Sequence, residues 1–335
     1  MAGNLSPVSV IIPAFNEEAA VYTGVTAIKE VLRKEKINNE IIVVDDGSKD
    51  NTAAEAGKAG AKVIRHMKNR GYGASLKTGI RCANNDILVI IDADGTYPAK
   101  AVPELLRKLR TADMVVGARV GREVNIPLLR RPAKFILKCL AGYITGERIL
   151  DLNSGLRVFR RQCIEQYFSI LSDRFSFTTT STVAFLCDGY KIAYEPIDYH
   201  KRRGKSKIVP GDFLGFLTLV LRLSMLFHPL KIFIPAALLS FCMGILKTAV
   251  DMVAVVKNTG YLSLRLFFTQ EVISASALIF LIAGLQLLLV GMMADGVIRK
   301  FAQFHAGKYE TAAAFYVDDS PGEHENKKVS GKKVM

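Results

Sequence analysis

The stretch Asp86-Ile-Leu-Val-Ile-Ile-Asp92-Ala-Asp94-Gly95 decides the fold. Five consecutive apolar residues, four of them β-branched, end in two carboxylates separated by one residue. So short and uniformly apolar a run reads as a strand buried on both faces of a largely parallel sheet. Two carboxylates two residues apart at the end of a strand point in similar directions. That direction is the crevice where α/β sheets bind ligands. Hard oxygen ligands of this kind suit Mg2+ or Mn2+, which would in turn bridge a diphosphate. The plainer reading is a solvated turn, since Asp and Gly are ordinary turn residues. On Asp-x-Asp alone the two readings are even.

The surrounding sequence repeats the pattern. VSVIIP (8–13), EIIVVD (40–45), AKVIRH (61–66) and DMVVGAR (113–119) are further strand-like runs. Between them Glu17–Lys34, Asn51–Ala59, Gly73–Ala83 and Ala101–Leu109 have helical spacing and good helix formers. Repeated strand–helix units from residue 8 to about 120 predict an α/β fold with a mainly parallel sheet. Residues 120–200 are less regular and predict helices and short strands that cover the catalytic edge. Two more polar turns follow strands. In Asp45-Asp46-Gly47-Ser48, a carboxylate is placed to accept from a base N–H or a ribose hydroxyl. Helix capping by Ser48 or Asp50 is compatible with that role. In Pro13-Ala14-Phe15-Asn16-Glu17, the carboxylates of Glu17 and Glu18 would also complement a helix N-terminus. Polar turns beyond parallel strands gather at one sheet edge, and their coincidence carries more than any single turn. Gly71-Tyr72-Gly73-Ala74-Ser75-Leu76 lacks the third glycine of a dinucleotide fingerprint, and the first strand runs into Pro13. A Rossmann dehydrogenase is therefore excluded.

Composition narrows the partners. The chain has 335 residues, 50% of them hydrophobic, enough for more than one folding unit and too apolar for a disordered chain. The five cysteines are scattered with no C-x-x-C pair, which speaks against a disulfide scaffold or a zinc site and fits a reducing compartment. A net charge of +14 points to nucleic acid, anionic lipid or phosphorylated ligands. Met1–Pro7 is short and polar and does not read as a secretory signal.

The apolar residues concentrate in the last third. Phe213–Phe227 is apolar except for Thr218, Arg222 and Ser224, while Gly211, Gly215, Thr218 and Arg222 share one helical face. At ~1.5 Å per residue this segment spans ~22 Å, short of a ~30 Å hydrocarbon core. It reads as an amphipathic helix in the membrane interface, with a core helix of the soluble domain as the competing reading. Spans are expected at about 232–256 and 272–294, with Lys247 and Asp251 near the far end of the first. Positive charge crowds the flanks, at Lys201, Arg202, Arg203, Lys205, Lys207, Arg222, Lys231, Arg299 and Lys300. The connecting loop carries only Lys257 and Arg265, so the α/β domain is expected in the cytosol. Nucleic acid is not the expected partner, because the basic residues lie near the membrane segment. The expected organisation is a catalytic domain at 1–210, an interfacial helix at 211–230 and a hairpin at 231–297. A cytosolic tail at 298–335, disordered after about 317, completes it.

VSVIIPAFNE, VVDDGSKDNT, NRGYGASLKTGI and DADGTYP, in that order, resemble the family-2 inverting glycosyltransferases of the GT-A fold over residues 8 to about 210. GAR (117–119), PLLRR (127–131), DLNSGLR (151–157) and RRGKSK (202–207) resemble the polyprenyl-phosphate glycosyltransferases in particular. That group includes dolichol-phosphate mannose synthases and bacterial undecaprenyl-phosphate glycosyltransferases with two membrane helices. The resemblance assigns Pro13, Phe15, Glu17 and Asp46 to the nucleoside, with Gly71 among the substrate-binding residues, and Asp92 and Asp94 to the metal and diphosphate. Many relatives have Gln two residues after the second Asp, where this chain has Thr96. Arg119 and the Arg130/Arg131 pair match residues that hold the acceptor phosphate. Arg203, Ser206 and Lys207 match a loop that closes over the donor, and Asp151 and Ser154 match a D-x-x-S-G motif. An anionic-lipid patch is the plainer reading of RRGKSK.

The implied reaction moves one sugar from a UDP- or GDP-linked donor to undecaprenyl or dolichyl phosphate with inversion, assisted by Mg2+ or Mn2+. The implied setting is the cell membrane, and a homo-oligomer is allowed, since some two-span relatives are tetramers. Asp94, Asp151, Arg119, Arg130 and Arg131 are the expected catalytic residues. A processive polysaccharide synthase would need a Q-x-x-R-W motif, and this chain has no Trp. The remaining alternatives are a family-2 enzyme with another glycolipid acceptor and a non-catalytic sugar-nucleotide-binding scaffold.

Overall fold

β1 (Val8–Ala14) lies between β2 (Asn39–Asp45) and β4 (Ile87–Ile90), parallel to both. Ala14 pairs with Asp45, and Ile11 with Ile90. β1 and β2 therefore end level and β4 stops opposite Ile11, so that the three polar turns emerge at one edge. The computed structural model describes residues 5–120, 131–174, 176–200, 212–259 and 274–313. Its sheet has seven strands in the order β3-β2-β1-β4-β6-β5-β7, with β3 at Lys62–Arg65, β5 at Met114–Ala118, β6 at Arg157–Arg160 and β7 at Ile192–Pro196.

All pairings are parallel except those of β6, which runs antiparallel between β4 and β5. Residues 120–200 thus do more than cover the edge, as the sequence led us to expect: they supply two strands of the sheet itself. Because β6 is reversed, the turn that precedes it opens at the same edge as the ends of β4 and β5. Arg157 sits opposite both Ile90 and Val116, which brings residues 151–156 beside Asp92 and Arg119.

The strands are buried on both faces. Val10 and Ile12 face α1 (Glu18–Lys34) through Val21, Val25 and Ile28, and α4 (Val102–Lys108) joins the same cluster. Ile11, Ile42 and Val44 face α3 (Tyr72–Cys82) through Leu76 and Ile80, and α7 (Phe177–Cys187) through Phe177 and Phe185. Each such side chain contributes about 1.5–3 kcal/mol on burial, so the alternation along β1 fixes its register. Two short helices, α2 (Thr52–Lys58) and α6 (Arg161–Glu165), complete this part of the fold.

A third cluster joins α5 (Arg131–Thr145) to α8 (Asp212–Phe227): Leu137, Ala141 and Ile144 pack with Ile149, Leu152, Val183, Val220 and Leu223. The reading of α8 as a core helix therefore holds for one side of it. Thr218 and Arg222 are exposed on the other side, together with Leu221, Met225 and Leu226.

α9 (Leu230–Thr259) and a last helix, α10 (Ala275–Ala313), form the C-terminal pair. Their apolar segments, Leu230–Lys257 and Ala275–Lys300, have 28 and 26 residues. At ~1.5 Å per residue both exceed a ~30 Å hydrocarbon core. Only 11% and 17% of their most apolar windows are buried, unlike the core helices of a soluble domain. α10 continues beyond the expected span to Ala313, so the first part of the expected tail is helical. The disorder expected after about 317 lies outside the described residues. The two helices approach closely at Gly284 against Phe241 and at Gly291 against Phe233, and Ser240 Oγ donates to the Phe280 carbonyl at 2.7 Å. Lys231 ties the pair to α5. Its Nζ donates to the Ile144 carbonyl at 2.6 Å and to that of Tyr143 at 3.4 Å, while Tyr143 OH donates to the Lys231 carbonyl at 2.9 Å.

Candidate active site

The turns beyond these strand ends enclose a cavity of about 330 Å³ whose lining includes Pro13, Phe15, Glu17, Asp46, Gly71, Asp92 and Asp94. Seven of the residues singled out in the sequence therefore come together in one place. Asn69, Tyr72 and Ser75 also line it and were not singled out. The walls are set by hydrogen bonds between turns. Asn16 N–H donates to Ser48 Oγ at 2.9 Å, Lys49 N–H to Asn16 Oδ1 at 2.9 Å, and Glu17 N–H to Thr52 Oγ1 at 2.9 Å. Asn16 adopts φ +51°, the left-handed conformation that Asn tolerates better than most residues. The PAFNE and DDGS turns are thus one rigid wall.

Asp46, expected at the nucleoside, lines the cavity and is also held by protein donors. Its Oδ1 accepts from Arg70 N–H at 2.9 Å and pairs with His66 Nδ1 at 2.7 Å, and its Oδ2 accepts from Gly71 N–H at 2.8 Å. His66 is itself held at 3.0 Å by Thr78 Oγ1. Asp46 is a buried anchor of the 66–71 loop, and a nucleoside would have to share oxygens that already accept from protein donors. The loop ends at Gly71, φ +108°, where a β-carbon would strike the Asp173 carbonyl.

Asp92 and Asp94 stand two and four residues beyond the end of β4. Asp92 Oδ1 accepts from Tyr72 OH at 2.9 Å. Burial, and then the Asp92 charge, push the Tyr72 phenol well above its ordinary range, so it stays a donor. Asp94 Oδ1 accepts from Thr96 N–H at 3.1 Å and Thr96 Oγ1 at 2.6 Å. Thr96 is fully buried and orients the carboxylate. Among the described residues no three His, Cys, Asp or Glu side chains converge. A cation here would take one or two carboxylates and complete its shell from phosphate and water, the usual way Mg2+ is held at a phosphate. The donor set fits that group.

A smaller cavity of about 110 Å³ is lined by Arg119, Leu137, Lys138, Leu150, Asp151, Leu152 and Asn153. Arg119 Nε donates to Asp151 Oδ2 at 2.7 Å and its Nη2 to Oδ1 at 2.8 Å, a two-pronged ion pair, with Arg119 N–H also on Oδ2 at 3.1 Å. Burial alone would raise the Asp151 carboxyl, but the hydrogen bonds and charge of Arg119 outweigh it and bring it down to about 2. The guanidinium lies 5.2 Å from the centre of the Tyr199 ring, and Tyr199 meets Tyr97 edge-on at 5.3 Å.

Ser154 belongs to neither cavity. Fully buried, its Oγ donates to the Gly117 carbonyl at 2.5 Å, so it pins β5 to the turn before β6 where a substrate contact was expected. Arg130, Arg203, Ser206 and Lys207 lie outside the described residues; Arg131 opens α5, and its side chain also lies outside them. Lys138 was missed, although it stands seven residues after Arg131 and hence on the same helical face.

Residues 9–168 match the family model described as "Glycosyl transferase family 2". A dolichyl-phosphate hexose transferase of Haloferax volcanii is 28% identical over 60% of this chain and 86% of its own. An undecaprenyl-phosphate 4-deoxy-4-formamido-L-arabinose transferase of Shewanella sediminis is 24% identical over 94% of this chain and 93% of its own, so that the likeness extends through the two C-terminal helices. Among solved structures, glucosyl-3-phosphoglycerate synthase from Mycobacterium tuberculosis, in complex with Mn2+, UDP and phosphoglyceric acid, superposes with a TM-score of 0.53. It is 22% identical, over 67% of this chain and 79% of that one, and shares the fold. A mostly parallel sheet with one reversed strand, carboxylates at its edge and sequence kinship over the same residues agree: the fold is GT-A, and the chain belongs to glycosyl transferase family 2.

Proposed function

We propose that this protein transfers a single sugar from a nucleotide diphosphate donor to the phosphate of a polyprenyl lipid, with inversion at the anomeric carbon. The observation that carries the reading is the pairing of two cavities, one walled by carboxylates and one by Arg119 and Lys138, on either side of the turn at residues 151–155. The relatives named for dolichyl and undecaprenyl phosphate support the acceptor class.

The larger cavity takes the nucleotide, with Pro13, Phe15 and Glu17 against the nucleoside. Asp94, with Asp92, would hold a divalent cation whose contribution is to screen the charge of the donor diphosphate; the Mn2+ of the mycobacterial structure supports that assignment. The smaller cavity takes the acceptor phosphate. The Arg119–Asp151 pair is neutral as a unit, so Lys138 supplies the charge in excess. By family resemblance, Arg130 and Arg131 are assigned to the acceptor phosphate, and Arg203, Ser206 and Lys207 to the donor diphosphate. A phosphate monoester carries about −1.5 to −2 charge at pH 7 and needs no strong base to attack. The enzyme's task is to hold two like-charged groups near one carbon, which calls for fixed donors and exclusion of water.

The C-terminal helices set this site at a membrane, residues 231–297 as a hairpin and the catalytic domain on the cytosolic side with the positive flanks. Reporters fused at the tail and within 257–271 should then fall on opposite sides. The function itself is tested with purified protein, a panel of UDP- and GDP-sugars and undecaprenyl or dolichyl phosphate. One donor should release nucleotide only when lipid phosphate is added. Release that ignores lipid phosphate, or donor binding without release from any pair, overturns the reading.

A further inference from the structure

The D-x-x-S-G segment carries more than Asp151. Gly155 is packed against Asp92 so closely that, were it any other residue, Cγ and both carboxylate oxygens of Asp92 would lie within 2.6 Å of its β-carbon. Gly155 is not among the glycines with positive φ, so space and not backbone conformation demands it. Tyr72 OH holds Asp92 from another side at 2.9 Å.

The turn that carries Gly155 cannot yield. Gly155 N–H donates to Tyr97 OH at 2.7 Å, Ser154 Oγ to the Gly117 carbonyl at 2.5 Å, and Gly117 N–H to the Leu156 carbonyl at 2.9 Å. Beneath it Arg157 is fully buried. Its Nε donates to the Ser154 carbonyl and its Nη2 to the Leu152 carbonyl, both at 2.8 Å. Its Nη1 reaches Thr182 Oγ1 at 2.6 Å and Ser181 Oγ at 3.3 Å. These acceptors are neutral, and burial pulls the Arg157 pKa below its ordinary value. A guanidinium so placed costs several kcal/mol in desolvation, and what it gains is a turn whose carbonyls have no freedom.

We propose that Gly155 is a positioning residue for the donor site. The buried turn that holds Asp151 against Arg119 also acts as a stop for Asp92, so the acceptor-side ion pair and the donor-side carboxylate are set by one rigid piece of backbone. The inference deepens the function proposed above and rests on Asp92 serving the donor.

The full chain, purified in detergent, is titrated by calorimetry with UDP and with GDP in the presence of Mn2+. Gly155→Ala should weaken Mn2+-dependent nucleotide binding at least tenfold. Asp92→Ala removes the atoms with which the new methyl collides. The double variant Asp92→Ala/Gly155→Ala should therefore fold and bind as Asp92→Ala alone does, whether or not Gly155→Ala by itself folds. A structural role would instead add the full Gly155→Ala penalty to Asp92→Ala. That result, a double variant that does not fold, or wild-type affinity in Gly155→Ala overturns the proposal and leaves the donor site standing. If the wild-type protein binds neither nucleotide, the donor reading falls and the inference with it.

Discussion

The two cavities orient their charges by opposite means. Around the larger one, amides, hydroxyls and an imidazole meet the carboxylates: Asp46 meets the Arg70 and Gly71 amides and His66 Nδ1, Asp94 meets Thr96, and Asp92 meets Tyr72. In the smaller one a carboxylate and a guanidinium orient each other, with Asp151 on Arg119. Amide and hydroxyl donors orient an acid without cancelling its charge, which suits Asp92 and Asp94 to a cation. An ion pair fixes both partners and cancels their charge, so the second site relies on cations outside the pair. Rigidity is common to both; the charge left over is what separates donor from acceptor.

The deepest break should come on the donor side. Asp94→Asn keeps the contacts to Thr96 possible but removes the charge. Transfer should fall more than a hundredfold, ~2.7 kcal/mol or more of transition-state stabilisation, and excess EDTA should have a like effect on the wild type. Near-normal turnover in either case would make the two sites alike in needing no cation.

Next comes acid. The Asp151 carboxyl titrates at about 2 in the folded protein, against about 3.9 when unfolded. A depressed carboxyl stabilises the fold fully above the unfolded value and loses that contribution as pH falls through the folded one. The stability advantage of wild type over Asp151→Asn, followed by denaturant titration, should therefore shrink by about 2 kcal/mol between pH 6 and pH 2. An advantage independent of pH would deny that charge orients this pair.

Smaller effects sharpen the acceptor side. Replacing Arg130 and Arg131 together by Lys keeps their charge but not the forked geometry, and should slow transfer to lipid phosphate about tenfold, ~1.4 kcal/mol. Donor binding without lipid should be unchanged. Lys138→Gln should raise the KM for lipid phosphate about fivefold, ~1 kcal/mol, leave the donor KM alone and be rescued by Lys138→Arg. A shift confined to the donor KM would move Lys138 to the other cavity.

The larger cavity was legible in the sequence because it is local. Each of β1, β2 and β4 is an apolar run ending in a polar turn, and parallel pairing does the rest. The smaller cavity was read less completely because it is assembled at long range. RVFR (157–160) is short and has Arg at both ends, so nothing in it announces a central, reversed strand. Thr178–Thr182 is a polar run that reads as surface, yet it is buried because Arg157 and Asn153 take up its hydroxyls. For Ser154 and Asp46, polar residues that shape a site and those that touch a ligand look alike in a sequence. Only their partners, 37 residues away for Ser154 and 25 for Asp46 and Gly71, tell them apart.

The tie between Lys231 and the end of α5 has a consequence for which lipids the enzyme can accept. Lys138 stands six residues before Ile144, about 9 Å along the helix axis, and Ile144 is fastened to the first turn of α9. With the hairpin in a bilayer, the basic cavity is moored at one altitude above the hydrocarbon, as a gauge is fixed to its post. A phosphate is then recognised by the height at which its headgroup floats. On the function proposed above, prenyl tails of different length would then present their phosphates at the same level.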